Sequence, residues 1–369
     1  MKRSTRSRIL ALSTAAVLSL SLAACGSSNE SDDDNGGGGG GGGESSLSGT
    51  LSGAGASSQD AAQQAWMAGF QEKNPDVTVN YDPIGSGGGR EQFLAGGSDF
   101  GGTDAYLDDE EVAKATERCG ELIEIPAYVS PIAVVFNLDG VEELNLKPGT
   151  IAQIFDQKIT KWNDPAIAED NPDVELPDTA ISPVNRSDES GTTENFVEYL
   201  SATAGDDWPH EVSGDWPVSG GEAAQGTSGV VQAVTSGTGT IGYADASQAG
   251  DLGTVNVGVG EEFVGYSPEA AAKVVEVSDR VEGRGEYDFA YDLARDTTEE
   301  GTYPIVLVSY AMACSTYEDE QTAELVQAYL GYMVSEDGQA AAAEAAGSAP
   351  LSGTLREQAE GAIEAISAG

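Results

Sequence analysis

The chain has one histidine, His210, and only 17 basic residues among its 369. A single imidazole excludes a His-rich metal site and leaves one candidate for any histidine-dependent base catalysis. Against 62 acidic side chains the basic ones leave a formal charge of 17 − 62 = −45. A field of that sign repels nucleic acid and anionic head groups, which excludes duplex binding and a polybasic membrane patch. Any anion that binds must be held by local features. Cysteine is scarce too, with three in the chain, and neither a Gly-Lys-Ser/Thr phosphate loop nor a Gly-x-Ser-x-Gly nucleophile elbow occurs. There is no internal repeat beyond one glycine tract. What is present is an apolar fraction of 39%, enough to build cores, and a length that suggests about two domains at roughly 150 residues each.

Lys2, Arg3, Arg6 and Arg8 precede an uncharged stretch from Ile9 to Ala24. It is too short to span a bilayer comfortably, and the layout is that of a secretory signal peptide. The stretch ends in Leu22-Ala23-Ala24-Cys25, which resembles the lipobox of bacterial lipoproteins. That resemblance implies removal of residues 1–24 and acylation (palmitate among the chains) at Cys25, anchoring the chain outside the cytoplasm at the cell membrane. An ordinary secreted protein with a chance Cys is the alternative. Residues 25–46, with unbroken glycine from Gly36 to Gly43, read as the lipidated Cys followed by an acidic, flexible tether. Loss of residues 1–24 removes four basic and no acidic residues, leaving 13 − 62 = −49. Outside the cytosol Cys119 and Cys314 read as a disulfide, with two separate buried thiols as the alternative.

From Leu47 onward short apolar runs alternate with helical patterns. Ala62, Trp66 and Phe70 share one helix face, and Val77, Val79 and Tyr81 alternate as a strand. Helical patterns also surround Ile151–Phe155, Phe196–Leu200, Phe289–Leu293 and Leu325–Met333. Strand-like runs are Ile132–Phe136, Ile181–Val184, Thr240–Tyr243, Val255–Val259 and Ile305–Tyr310. The alternation predicts an α/β protein with mostly parallel sheets flanked by helices, its ligand where strands end and helices begin.

Three Gly and hydroxyl clusters occupy such places. They are Ser52-Gly53-Ala54-Gly55-Ala56-Ser57-Ser58, Ile84-Gly85-Ser86-Gly87-Gly88-Gly89 and Arg186-Ser187-Asp188-Glu189-Ser190-Gly191-Thr192. Free N–H groups at a helix start, small side chains and hydroxyl donors make a dipolar cradle for a tetrahedral oxyanion. Each cluster alone also reads as an ordinary N-capped loop. Their coincidence carries the signal.

With Asp99-Phe100-Gly101-Gly102-Thr103-Asp104 between the second and third, these clusters resemble, in order and spacing, the phosphate-binding proteins of bacterial ABC importers, the PstS family. Gln157-Lys158-Ile159-Thr160-Lys161-Trp162-Asn163-Asp164-Pro165-Ala166-Ile167-Ala168, Gly239-Thr240-Ile241-Gly242-Tyr243 and Tyr303-Pro304-Ile305 extend the resemblance over Leu47 to the C-terminus. It implies a two-lobe periplasmic-binding-protein-like fold (type II), with lobe I at 47–129 and 305–369, lobe II at 130–304, and a hinge near Tyr128–Pro131 and Tyr303–Ile305. It implies phosphate contacts from Ser57, Ser58, Ser86, Asp104, Arg186, Ser190, Gly191 and Thr192, with Asp188 holding Arg186. Two departures stand out. Ser58 and Gln59 replace the aromatic and Pro of the family's "GAGATFP", and Gly87 replaces the second Ser of its "GSSGG".

The implied function is high-affinity extracytoplasmic binding of inorganic phosphate and delivery to a permease and ATPase complex, by a monomer without enzyme activity, cofactor or metal. A phosphate-responsive sensor or adhesin on the same fold is the alternative, followed by a phosphatase or serine hydrolase using His210. Gly237-x-Gly239-x-x-Gly242 imitates a dinucleotide fingerprint, but strand character follows it, so it reads as a turn. The acidic excess reads as a solvation property of the exterior, suited to saline surroundings.

Overall fold

The computed structural model describes residues 47–369. The signal segment, Cys25 and the glycine tether lie outside the described residues. From the first strand the chain alternates as the sequence predicts. Strand β1 (Gly49–Gly55) leads through a short 3-10 turn, Ser57–Gln59, into helix α1 (Asp60–Lys73). Ala62, Trp66 and Phe70 all face inward, and the Trp66 indole donates to the Gly338 carbonyl at 2.8 Å. Asp60 in the first turn and Lys73 in the last complement the helix dipole. Then follow β2 (Val77–Asp82), α2 (Ser86–Leu94), β3 (Phe100–Thr103) and α3 (Asp109–Cys119), whose N-cap Asp108 forms a capping box with Glu111.

The buried strand β4 (Leu122–Asn137) carries the chain onward into β5 (Glu143–Leu146), α4 (Pro148–Phe155) and α5 (Pro165–Asp170). Next come β6 (Ser182–Arg186), α6 (Gly191–Ala204), β7 (Glu222–Ala224), α7 (Gly226–Ser236) and β8 (Thr240–Asp245). Strands β9 (Gly253–Val259) and β10 (Glu262–Val264), helix α8 (Pro268–Glu276), and the small ribbon of β11 (Asp279–Arg280) with β12 (Tyr291–Asp292) follow. The chain returns through β13 (Val306–Cys314) and continues in α9 (Glu320–Val334), α10 (Glu336–Ala346) and α11 (Gly353–Glu364), with Ser367–Ala368 pairing beside Thr316–Tyr317.

One curled sheet runs β2-β1-β3-β13-β4-β8-β6-β7, with β9, β5 and β10 attached beside β4. It is parallel at both ends, in β2-β1-β3 and β8-β6-β7, and antiparallel where β13 and β4 cross the middle. Two main cores lie along it. Trp66, Phe70, Phe93, Phe100 and Tyr329 fill one, and Phe136, Phe155, Trp162, Phe196 and Tyr243 the other. β4 serves both, since Ile123, Ile125 and Tyr128 pack in the first and Ile132, Val134 and Phe136 in the second.

The helical pattern expected around Phe289–Leu293 is not a helix. The Phe289 N–H donates to the Glu124 carbonyl at 2.8 Å, and the Tyr291 N–H to the Tyr310 hydroxyl at 3.1 Å. These bonds dock the segment, extended, against β4 and β13, and tertiary partners override the short i, i+4 pattern. Gly237 to Gly239 form a turn into β8, which contains Gly242, so no helix follows the glycines.

Cys119 at the end of α3 and Cys314 at the end of β13 form a disulfide across 195 residues of sequence. Both belong to the first core, where the bridge fixes α3 against the sheet. Replacing both with Ser is expected to lower unfolding free energy by about 2–5 kcal/mol through the larger unfolded ensemble. Urea unfolding of the variant checks it, and an unchanged midpoint would show that the bridge adds nothing to stability.

Candidate functional site

The carboxyl ends of β1, β3, β6 and β7 and the starts of α1, α2, α6 and α7 come together between the two cores. Small residues allow it. Gly55 has φ 154°, and a Cβ there would lie 1.9 Å from the Gly102 carbonyl oxygen. A Cβ on Gly191 would meet Asp104, Ser86 and the Ala105 amide, each at 2.8 Å. Glycine therefore lets α6 press its first turn against the end of β3.

Asp104 is the centre of this meeting and is 2% exposed. Ser58 Oγ donates to its two carboxylate oxygens at 2.6 and 2.7 Å, Ser309 Oγ at 2.7 Å and Thr192 Oγ1 at 3.1 Å. The Asp104 amide in turn donates to Ser86 Oγ at 3.1 Å, leaving the Ser86 proton to donate elsewhere. Burial pushes the Asp104 carboxyl above its ordinary value, against the hydroxyl bonds and the charge of Arg186.

Arg186, at the end of β6, is 3% exposed. Its Nε donates to Asp188 Oδ1 at 2.9 Å and its Nη2 to Asp188 Oδ2, a bidentate grip that fixes the guanidinium plane. Asp188 also accepts from the Gly226 amide at 3.0 Å. Burial disfavours its charge, but the bond and charge of Arg186 outweigh that and hold its carboxyl below the ordinary value. Ser190 caps α6 by accepting from Thr193 N–H, placing Gly191 and Thr192 in the first turn. Behind them Tyr243 bonds Thr193 Oγ1 at 2.7 Å and accepts from the Arg186 amide at 3.3 Å. Ser57 Oγ accepts from the Thr227 amide and shares a bond with Thr227 Oγ1, both at 3.1 Å.

Every predicted ligand thus lies in one buried cluster between the two cores, with Asp188 half-buried beside Arg186. Sequence reasoning missed Ser309, Thr227, Asn195 and Asp245. Ser309 could have been found as a lone hydroxyl in the apolar run Val306–Tyr310, since a buried polar group needs a partner. Thr227 follows a strand and Gly226, the same pattern as the other clusters. Asn195 donates from α6 to the Asp104 carbonyl at 2.7 Å. Gln59, one of the two departures from the family's loop, is buried and donates to Ser309 Oγ at 2.8 Å and the Tyr310 carbonyl at 3.0 Å. It ties the turn before α1 to β13.

A sizeable cavity lies elsewhere. About 720 Å³ opens between α2 and α3, lined by Glu91, Glu111, Glu117 and Glu189 with Lys114 and Arg118. Its acidic lining is the wrong sign for an anion, whereas the Asp104 cluster is closely packed and rich in neutral donors. His210 stands apart from it, with Nε2 2.7 Å from Asp156 Oδ1 and its ring against Trp208. Among the described residues no group of three His, Cys, Asp or Glu could hold a metal, and no helix is long and apolar enough to cross a membrane.

Residues 41–337 match the PBP superfamily domain. The chain is 35% identical over 321 residues to phosphate-binding protein PstS 3 of Mycobacterium leprae, covering 84% of this chain and 86% of that one. It is 37% identical over 290 residues to phosphate-binding protein PstS 3 of Mycobacterium tuberculosis, covering 76% and 77%. The chain belongs to the PstS family. A solved high affinity periplasmic phosphate-binding protein with bound phosphate superposes with a TM-score of 0.69 at 22% identity, covering 85% of this chain and 93% of that one. That likeness establishes the shared α/β fold.

Asp245, fully buried at the end of β8, belongs to the same neighbourhood. Burial pushes its carboxyl up to about 7, with bonds from Ser247 and Ser130 opposing and the charge of Asp104 adding to the rise. A carboxyl raised above its unfolded value stabilises fully below the unfolded pKa, and that contribution is lost as pH climbs to the folded one. Relative to Asp245→Asn, the wild type should therefore lose stability between about pH 4 and about pH 7. Melting temperatures across that window check it, and a constant difference would mean that folding does not shift the Asp245 carboxyl.

Proposed function

We propose that the chain binds inorganic phosphate outside the cytoplasm and delivers it to the permease and ATPase of a phosphate ABC importer. The observation that carries this reading is Asp104, a buried carboxylate ringed by hydroxyls beside one guanidinium. A carboxylate facing an anion makes sense when the anion brings a proton. Phosphate near neutral pH keeps at least one P–OH, which Asp104 can accept, while sulfate has none and would leave repulsion and an unpaired acceptor. Sites built around a ligand hydroxyl reject analogues lacking it by about 10⁴ or more.

The other members supply donors. Ser57, Ser58, Gly191 and Thr192 offer N–H groups at helix starts, Ser57, Ser86 and Ser190 offer hydroxyls, the Thr192 hydroxyl being held by Asp104, and Arg186 offers the edge that Asp188 leaves open. Neutral donors replace the hydration shell of a dianion without adding much charge. Residues 47–129 with 305–369 form lobe I and 130–304 lobe II, with the hinge where β4 and the segment before β13 cross between the cores. One ligand bridging both lobes stabilises the closed form by its differential affinity, and the closed form is what the permease reads. Cys25 anchors the mature monomer to the membrane by its acyl chains, and the tether gives it reach. The chain is not an enzyme and takes no cofactor, a reading that fits a family of substrate-binding proteins and a lone His210 paired to Asp156.

Calorimetry of the 47–369 fragment with phosphate, sulfate and arsenate tests the central claim. Heat with phosphate and none with sulfate is expected, and no heat with phosphate at micromolar protein defeats it. In competition titrations Asp104→Asn should bind phosphate more weakly and lose at least tenfold of its preference over sulfate. Unchanged selectivity would remove Asp104 from the mechanism.

A further inference from the structure

Gly87 and Glu189 flank the cradle without belonging to it, and the structure brings them into contact. A Cβ on Gly87 would lie 2.3 Å from Glu189 Oε2, 2.4 Å from its Cδ and 2.7 Å from its Cβ. The Gly87 amide also donates to the Glu189 carbonyl at 3.4 Å. A serine at this position would evict the Glu189 side chain. The carboxylate that occupies the gap reaches Arg90, whose Nη2 donates to Glu189 Oε1 at 2.6 Å. Arg90 comes from α2, whose Phe93 packs in the first core, and Glu189 from the loop before α6, whose Phe196 packs in the second.

We propose that Arg90 and Glu189, with Gly87 as the gap that admits them to each other, form a clasp across the two halves of the site that sets how long phosphate stays bound. The proposal rests on the phosphate reading above. It differs from an ordinary surface ion pair in how its two partners are held. The Arg90 side chain is 7% exposed and already fixed in its own half, with Nε donating to Glu111 Oε1 at 3.0 Å and Nη1 to Thr103 Oγ1 at 3.1 Å. Only Glu189, 48% exposed, must be ordered to complete the pair. A preorganised fork loses little freedom on binding a carboxylate. Glu189 also lies over the first turn of α2, where the helix dipole favours an anion.

The carboxylates around Arg90 show why neutralising Glu189 is the informative change. Glu111 on α3, Glu189 on the loop and Glu194 on α6 all act on this guanidinium. Glu189→Gln leaves Glu111 in place, so it removes the contact between the halves without stranding a buried charge. Residues that hold a closed state together change dissociation more than association. The loop that carries Glu189 also carries Arg186 and Ser190, so the clasp seats the second-core donors against the first-core ones.

The test is stopped-flow phosphate binding and release by the full chain as wild type, Glu189→Gln, Gly87→Ser, Arg90→Gln and the double variant Arg90→Gln/Glu189→Gln. Each single change should raise the release rate about three- to tenfold and leave association within about twofold. The double variant should release no faster than Arg90→Gln alone, and high salt should narrow the gap between wild type and Glu189→Gln. Unchanged release in Glu189→Gln and Gly87→Ser, or additive effects in the double variant, would overturn the clasp. If the wild type binds no phosphate, the phosphate reading fails separately. The same cycle in urea unfolding then decides the contact, coupled losses sustaining it and additive ones overturning it.

Discussion

A carboxylate taken out of water must find hydrogen bonds or surrender its charge, and Asp104 places that demand at the junction of two cores. Its acceptors are met by Ser58 from the first core's turn, Ser309 from the central strand and Thr192 from the second core's helix. No one element could supply all three. The close approaches at Gly55 and Gly191 follow from that requirement, because hydroxyls reach a carboxylate only if the backbones carrying them nearly touch. Packing and polar satisfaction thus impose the same geometry.

The charge of the chain and the charge of the site obey different rules. The formal charge of the chain is −45, and charges on exposed side chains are screened over about 8 Å in physiological salt. Inside the cluster the balance is set by single groups at hydrogen-bond distance, where Arg186 is neutralised by Asp188 and the remaining donors are neutral. An acidic protein can therefore present an anion with a favourable site. Asp245 and Glu194, both pushed up to about 7 by burial, show how strongly this interior resists further negative charge.

Much of the site was legible in the chain because its members sit in short strand-loop-helix segments whose glycines and hydroxyls are local signals. Ser57, Ser86, Asp104, Arg186 and Thr192 each lie within a few residues of such a turn. Ser309 was not legible, since it stands in the middle of an apolar strand and acquires its role only from what β13 passes beside. Arg90 and Glu189 were equally silent: in sequence, a charged residue in a helix and another in a polar loop are among the commonest features of any protein. The extended run at Phe289–Leu293 was misread for a related reason, because its backbone partners come from β4 and β13, far away in sequence.

The sequence by itself determined the α/β alternation and the short strand-loop-helix segments, rich in glycine and hydroxyls, from which the candidate site is built. Each of these is written in neighbouring residues, through periodicity or backbone freedom. Only the tertiary structure decided that Cys119 meets Cys314 across 195 residues, that Gln59 ties the first loop to the central strand, and that Glu189 fits over Gly87 to reach Arg90. Such pairings depend on how two cores are set against one shared sheet. That placement is a property of the whole chain's packing, so no local pattern encodes it.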